Sequence, residues 1–212
     1  MEFEAVVIGS SAGGIKALSS VLSALPSDFP LPIIIVQHLH PQSDSYLAKI
    51  LESKCKLKVK QADEKETIAD GMVYIAPPNY HLLIEDDRSF SLSIEGQVNF
   101  ARPSVDVLFE TAIYGYRDKI VAIILTGANH DGGVGVKKIK QNGGYIIVQT
   151  PESAEADAMP KAAIAATDVD KILPLEQIGS FLLQLVNSSI KKRFDKYNNR
   201  FSHTNPSFPL KN

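Results

Sequence analysis

Residues 5–14 read AVVIGSSAGG, four apolar residues followed by a loop of glycine, serine and alanine. A continuous apolar run of this length is typical of a strand buried on both faces, and the glycine that follows it indicates a tight turn. Apolar residues then recur at the spacing of one helix face: Ile15, Leu18, Val21, Leu22 and Leu25. The stretch therefore predicts a buried strand, a glycine-rich loop and an amphipathic helix.

The same alternation continues along the rest of the chain. Further strands are predicted at residues 33–36, 73–76, 120–125 and 145–148, and helices at 46–51, 105–112, 134–141, 162–166 and 178–186. Two short β segments, 81–84 and 89–94, flank a polar turn. Continuous apolar strands separated by helices predict an α/β fold: a doubly wound, mainly parallel sheet with helices on both faces (three layers, α/β/α), with a short antiparallel β segment.

Composition is that of one ordinary globular domain. The chain has 212 residues, of which 44% are hydrophobic and 22% charged, and no apolar run is long enough to span a membrane. It has a single cysteine and no basic, apolar leader, so we expect a cytoplasmic protein without membrane insertion. We assign residues 1–188 to the domain and 189–212, with six Lys or Arg side chains and one Asp, to a basic, disordered tail.

Three strands run directly into reactive side chains. Ser11 follows the first strand, His38 follows the second, and Asp131 follows the strand at 120–125. Ligands bind beyond the carboxyl ends of the strands of an open parallel sheet, so these side chains are expected to meet there. A serine hydroxyl needs a neighbouring base, histidine suits that task, and a carboxylate fixes the tautomer of the histidine ring.

The residues alone leave alternatives open. Residues 9–13 match G-x-S-x-G, but the order Ser, His, Asp differs from the Ser, Asp, His order of the α/β-hydrolases. Ser10 is an equally good hydroxyl by composition, and His40 is a second candidate base. Ser11 and Asp131 also suit helix N-caps.

The whole set of motifs resembles the catalytic domain of the chemotaxis protein-glutamate methylesterase (CheB) family over about residues 3–187. The resemblance rests on seven motifs in the same order: VIGSSAGG at 7–14, Gln37-His38, YIAP at 74–77 with Tyr80-His81-Leu82, RPSVDVLF at 102–109, LTG at 125–127 leading to Asp131-Gly132, PES at 151–153 and MPKAA at 159–163.

Several expectations follow from this resemblance. The family hydrolyses glutamyl methyl esters on chemoreceptors, the methyl-accepting proteins, to glutamate and methanol, and members also deamidate receptor glutamines. It implies Ser11 as nucleophile, His38 as base and Asp131 as the orienting carboxylate. We expect the oxyanion pocket at Ala12, Gly127 and Ala128, and the substrate-binding cation at Arg102. The resemblance implies no metal, no organic cofactor and no nucleic-acid partner, and for Arg102 a surface ion pair with Asp106 stays an equal alternative.

Two departures from the family pattern bear on activity. Ala128 stands where the family usually has a methionine associated with the oxyanion site. The family enzyme usually carries an N-terminal receiver domain, whereas this chain enters its first strand within a few residues. We therefore expect an enzyme that is constitutively open or is controlled by a receiver domain in trans.

Two other classes of function remain to be weighed. A nucleotide-binding α/β protein would use the first glycine loop as a phosphate cradle, but Ser11 replaces the second glycine of G-x-G-x-x-G and the second strand ends in Gln37-His38 instead of an acidic residue. The other class is a non-catalytic scaffold that binds receptors. All three triad positions are filled, which argues against a scaffold.

Overall fold

A computed structural model describes residues 2–38 and 46–201, the side chains of 192–201 excepted. The strands are β1 (Ala5–Ser10), β2 (Ile33–Gln37), β3 (Lys58–Gln61), β4 (Met72–Ile75), β5 (His81–Ile84), β6 (Phe90–Ser93), β7 (Ile120–Ile124), β8 (Tyr145–Gln149) and β9 (Lys171–Leu173). The helices are α1 (Gly14–Ser23), α2 (Leu47–Glu52), α3 (Val105–Tyr116), α4 (Gly133–Gln141), α5 (Ala158–Ala166) and α6 (Leu175–Phe201).

Seven parallel strands form the central sheet in the order β3-β4-β2-β1-β7-β8-β9. β5 and β6 form a separate antiparallel pair. The predicted doubly wound sheet with a short antiparallel segment is therefore confirmed.

The two faces of the sheet are buried by different helices. Along β1, Val6 and Ile8 pack in one apolar cluster together with residues of α1, α2 and α6. Ala5 and Val7, which point to the opposite face, pack with residues of α3, α4 and α5. This period of two within a wholly apolar strand explains why β1 carries no polar side chain before Ser10.

The topology brings the candidate residues to one edge. β1 lies between β2 and β7, so the chain winds outward from β1 in one direction through β2 and in the other through β7. The carboxyl ends of these three neighbouring strands meet at this switch point, and Ser11, His38 and Asp131 follow them.

The two outermost strands, β3 and β9, were not predicted. Each is short and includes lysine, which is the composition of an edge strand and not that of a buried one. α5 also begins earlier than predicted, at Ala158 instead of Ala162.

The boundary predicted at residue 188 does not coincide with a break in the backbone. α6 continues to Phe201, so the first part of the predicted disordered tail is helical, and Ser189 accepts a hydrogen bond from the Phe3 backbone N–H at 3.0 Å. Residues 202–212 and the second candidate base, His40, lie outside the described residues. None of the described helices combines the length and apolar character that a membrane span requires.

Candidate active site

Ser11 is held at the end of β1 by main-chain contacts on both sides. Its N–H donates to the Thr126 carbonyl at 2.9 Å, and its own carbonyl accepts from Gly14 at 2.8 Å. Between them Gly13 turns the chain through a positive φ of 76°, a conformation that favours glycine. This turn leaves the side chain of Ser11 partly exposed.

Gln37, the last residue of β2, joins the ends of β1 and β2. Its Oε1 accepts from the Ser10 hydroxyl at 2.8 Å, and its Nε2 donates to the carbonyls of Ser11 and His38 at 2.9 and 2.8 Å. The hydroxyl of Ser10 is thus fully buried and already bonded, whereas Ser11 lines a cavity. Of the two candidate hydroxyls, only that of Ser11 faces space for a substrate.

His38 and Asp131 come together across 93 residues of sequence. The ring Nε2 of His38 lies 2.8 Å from Oδ2 of Asp131, and the side chain of Asp131 is fully buried while that of His38 is 12% exposed. The predicted pairing of these two residues is therefore present.

Asp131 lies against the N-terminus of α3 and caps that helix instead of α4. Its carboxylate accepts six hydrogen bonds, which come from the His38 ring, the Asn99 amide, the Ser104 hydroxyl and the N–H groups of Val105, Asp106 and Gly132. Two of those N–H groups belong to the first turn of α3, where backbone N–H groups have no carbonyl partner within the helix.

These contacts keep Asp131 ionised. Burial by itself raises the pKa of a carboxyl group, but the hydrogen bonds from His38, Asn99 and Val105 outweigh it and hold the pKa of Asp131 below its usual range. A buried, ionised carboxylate accepts a proton-bearing Nε2 and so fixes the ring of His38 in one tautomer. Nδ1 is then the ring nitrogen with a free lone pair, and it lies 3.2 Å from Nδ2 of Asn129.

Ser11 and His38 line one cavity of about 220 Å³. Its other walls come from the loop before α3 and from the segment after β7: Gln97, Phe100, Ala101, Arg102, Pro103 and Asn129. Phe100 is 97% exposed at its edge. Within the described residues no hydrogen bond joins the Ser11 hydroxyl to His38 (such bonds often form only with substrate bound).

The predicted oxyanion residues are not all available as donors. Gly127 was expected in the oxyanion pocket; its N–H donates to the Ala156 carbonyl at 2.9 Å and so already has an acceptor. A Cβ at Gly127 would lie 2.0 Å from the Met159 sulfur and 3.0 Å from the Ser11 Cβ. Glycine at this position therefore leaves space for the side chains of Met159 and Ser11. Ala12 and Ala128 are exposed, and their N–H groups donate to no acceptor within the described part of the chain.

Arg102 lines the cavity but does not pair with Asp106. Its guanidinium donates to Oδ1 of Asn79 at 2.8 and 3.3 Å and to the carbonyls of Ile94 and Glu95 at 2.6 and 2.8 Å. No carboxylate among the described residues forms an ion pair with it. Arg102 therefore braces the loop and leaves an uncompensated positive charge beside the cavity.

A second buried carboxyl lies behind Asp131. Asp106 accepts from the Gly135 N–H at 2.7 Å, and the Asn99 amide donates to both Asp106 and Asp131, at 2.8 and 3.0 Å. Burial, together with the charge of Asp131, raises the pKa of Asp106 to about 6. The sequence gives no signal for Asn99, because its partners follow it by 7 and 32 residues.

The structure also bears on the nucleotide-binding alternative. The side chain of Glu155 packs against Gly13, with its Oε2 2.9 Å from where a Cβ would stand, at the N-terminus of α1. A carboxylate there disfavours a pyrophosphate at that helix end. Within residues 2–38 and 46–201, no group of three or more His, Cys, Asp or Glu side chains is arranged to hold a metal ion.

Most of the chain is similar in sequence to known proteins. The family model described as CheB methylesterase matches residues 6–182. A Leptospira interrogans relative is 54% identical over 193 residues, which make up 91% of this chain and 100% of the relative. The protein-glutamate methylesterase/protein-glutamine glutaminase of Thermotoga maritima is 39% identical over 184 residues, 85% of this chain and 54% of that protein.

The structural comparison points the same way. The crystal structure of the Thermotoga maritima CheB methylesterase catalytic domain superimposes with a TM-score of 0.83 at 38% identity, over 88% of this chain and 100% of that one. The chain therefore spans the whole of the Leptospira relative, but about half of the longer Thermotoga protein. Sequence and fold together establish that the chain belongs to the CheB methylesterase family.

Proposed function

We propose that this chain is a serine hydrolase that cleaves glutamyl methyl esters on methyl-accepting chemotaxis receptors, giving glutamate and methanol. The observation that carries the proposal is the placement of Ser11 and His38 on one cavity, with the ionised Asp131 bonded to the far side of the His38 ring. Family membership supplies the substrate class. The same chemistry on a receptor glutamine would release ammonia, which is the deamidation named for the Thermotoga relative.

The reaction begins with attack of the Ser11 hydroxyl oxygen on the ester carbonyl, while Nδ1 of His38 takes the hydroxyl proton. Asp131 stabilises the imidazolium that forms, because its carboxylate already accepts the Nε2–H bond at 2.8 Å. His38 then gives the proton to the departing methoxide, which leaves as methanol. Water activated by His38 hydrolyses the resulting acyl-serine, returns Ser11 to its hydroxyl form and frees the glutamate side chain.

The developing negative charge on the ester oxygen needs donors. In this proposal the N–H groups of Ala12 and Ala128 supply them. Both residues are exposed, and neither N–H donates to an acceptor within the described part of the chain. Ala12 directly follows Ser11, and Ala128 directly follows Gly127, whose Cβ position would lie 3.0 Å from the Ser11 Cβ. A backbone donor does not depend on its side chain, so alanine at 128 suffices for this role. Arg102 adds a positive charge that favours a carboxylate-rich receptor surface near the cavity.

No cofactor takes part in this scheme. The proposed partners are the cytoplasmic signalling helices of the receptors, which places the enzyme in the cytoplasm, and control by a receiver domain in trans belongs to the same proposal.

The direct test is methanol release from methylated receptor signalling fragments. Wild type is compared with Ser11→Ala and with Ser10→Ala, a matched loss of a neighbouring but buried hydroxyl. Release by wild type and Ser10→Ala, with loss of most turnover in Ser11→Ala, is the expected result. Equal turnover by Ser11→Ala would remove Ser11 as nucleophile, and no release by folded wild type would point to another ester or to a scaffold.

A further inference from the structure

Both ring nitrogens of His38 are occupied in the structure. Nε2 donates to the buried carboxylate of Asp131 at 2.8 Å, and Nδ1 lies 3.2 Å from the side-chain Nδ2 of Asn129. In the proposed reaction, Nδ1 is the atom that must take the proton of Ser11. The nitrogen that acts as the base therefore contacts Asn129.

The orientation of the Asn129 amide is fixed by its other end. Oδ1 of Asn129 accepts from the backbone N–H of Asp131 at 3.2 Å, a group that can only donate. The NH₂ group of the amide must then face His38, and the tautomer set by Asp131 leaves Nδ1 as an acceptor. Both assignments agree, so the contact is a hydrogen bond from Asn129 to the lone pair of His38.

A ring nitrogen has one lone pair in the plane of the imidazole. The Asn129 amide and the Ser11 hydroxyl consequently compete for the same acceptor. This accounts for the lack of a hydrogen bond between Ser11 and His38 within the described residues.

We infer that Asn129 is a latch on the catalytic base: it keeps His38 from activating Ser11 until a substrate displaces its amide. Asn129 lines the cavity, so an entering ester reaches it directly. The inference rests on the proposed function, since a latch has meaning only where His38 acts as base. Asn129 is a positioning residue in this account, because it acts through His38.

The first test is the rate at which a fluorophosphonate probe labels Ser11. Asn129→Ala removes the competing donor and should speed labelling about two- to tenfold, the range expected for one neutral hydrogen bond. Asn129→Ser keeps a hydroxyl acceptor for the Asp131 N–H on a shorter, uncharged side chain and removes the NH₂ group from Nδ1, so it should also speed labelling. His130→Ala, at an exposed position in the same loop, is the control and should label like wild type.

Unchanged labelling rates in both Asn129 variants, or a slower rate in Asn129→Ala, would overturn the latch. Faster labelling in Asn129→Ala alone would also overturn it, because the effect would then come from loss of the hydrogen bond between the Asp131 N–H and Asn129. The second measurement is the ¹⁵N NMR signal of His38 Nδ1, which must lose the shift of a hydrogen-bonded acceptor in Asn129→Ala and keep it in His130→Ala. An unshifted signal contradicts the latch. Absence of labelling in every variant, wild type included, would instead count against the proposed nucleophile, while the NMR result still decides the hydrogen bond.

Discussion

Asp131→Asn tests the electrostatic design of the site, because it changes one carboxylate oxygen to an NH₂ group without changing the volume. In wild type, one carboxylate oxygen accepts from His38 and Val105, and the other accepts the remaining four bonds. An amide has a single acceptor oxygen. Whichever way it turns, its NH₂ group faces at least two donors.

The structure indicates the favoured orientation and its consequence. With the amide oxygen kept on the side of the four donors, the NH₂ group faces Nε2 of His38 and the Val105 N–H. Nε2 must then become the acceptor, so the proton moves to Nδ1 and the ring can no longer take a proton from Ser11. We expect turnover to fall by about 10³–10⁴, as for the same substitution in the serine protease triad. The orphaned Val105 N–H should lower the free energy of unfolding by about 1–3 kcal/mol.

The assay is kcat/KM for methyl ester hydrolysis, beside urea denaturation of the same preparation to show that the variant is folded. Asp131→Ala serves as the comparison, because it removes the carboxylate without forcing the wrong tautomer. A folded Asp131→Asn enzyme with activity within tenfold of wild type would refute the tautomer argument.

Three further predictions concern residues around this centre. Burial and the charge of Asp131 raise the pKa of Asp106 to about 6 from 3.8, so its contribution to stability is full below pH 3.8 and is lost, by about 3 kcal/mol, as the pH rises through 6. Urea denaturation at pH 4 and 7 should therefore show Asp106→Asn gaining stability relative to wild type at the higher pH. The same change in unfolding free energy between pH 4 and 7 for both proteins would contradict this. Phe100→Ala should raise KM for receptor fragments but not for a small ester, since the ring is 97% exposed at the cavity edge. The same change in KM, relative to wild type, on both substrates would argue against a docking role. Gly127→Ala should cost about 1–3 kcal/mol of unfolding free energy, because its Cβ would stand 2.0 Å from the Met159 sulfur. Gly96→Ala, whose Cβ would have no atom within 4 Å, should cost less than about 0.5 kcal/mol. Similar costs for the two variants would contradict the packing argument.

The buried strands were predictable because their physical signal is local. β1, β2 and β7 are wholly buried, so every residue in them had to be compatible with a core, and the apolar runs mark them directly. Reactive residues immediately after such runs could be assigned to one sheet edge from topology alone. That reasoning brought Ser11, His38 and Asp131 together before any distance was available.

The supporting residues were not predictable, because their partners are set by loop geometry. Asn99 reaches Asp131 only through the conformation of the loop before α3, and it adopts a positive φ of 52° there. Arg102 was predicted as a substrate-side cation or as the partner of Asp106, and the sequence does not show that Asn79 and carbonyl groups of its own loop, and not Asp106, accept from it. Gln37 and Asn129 both lie next to predicted site residues, yet spacing alone does not show which atoms they contact.

The central claim is that Ser11 is the hydroxyl activated by His38 and Asp131, and mapping of a trapped adduct tests it most directly. The protein is treated with a fluorophosphonate ester and digested, and the modified residue is located by mass spectrometry, in wild type and in His38→Ala. The account predicts modification at Ser11, none at Ser10, and much slower modification in His38→Ala. Modification at another serine, or equal rates with and without His38, would contradict it.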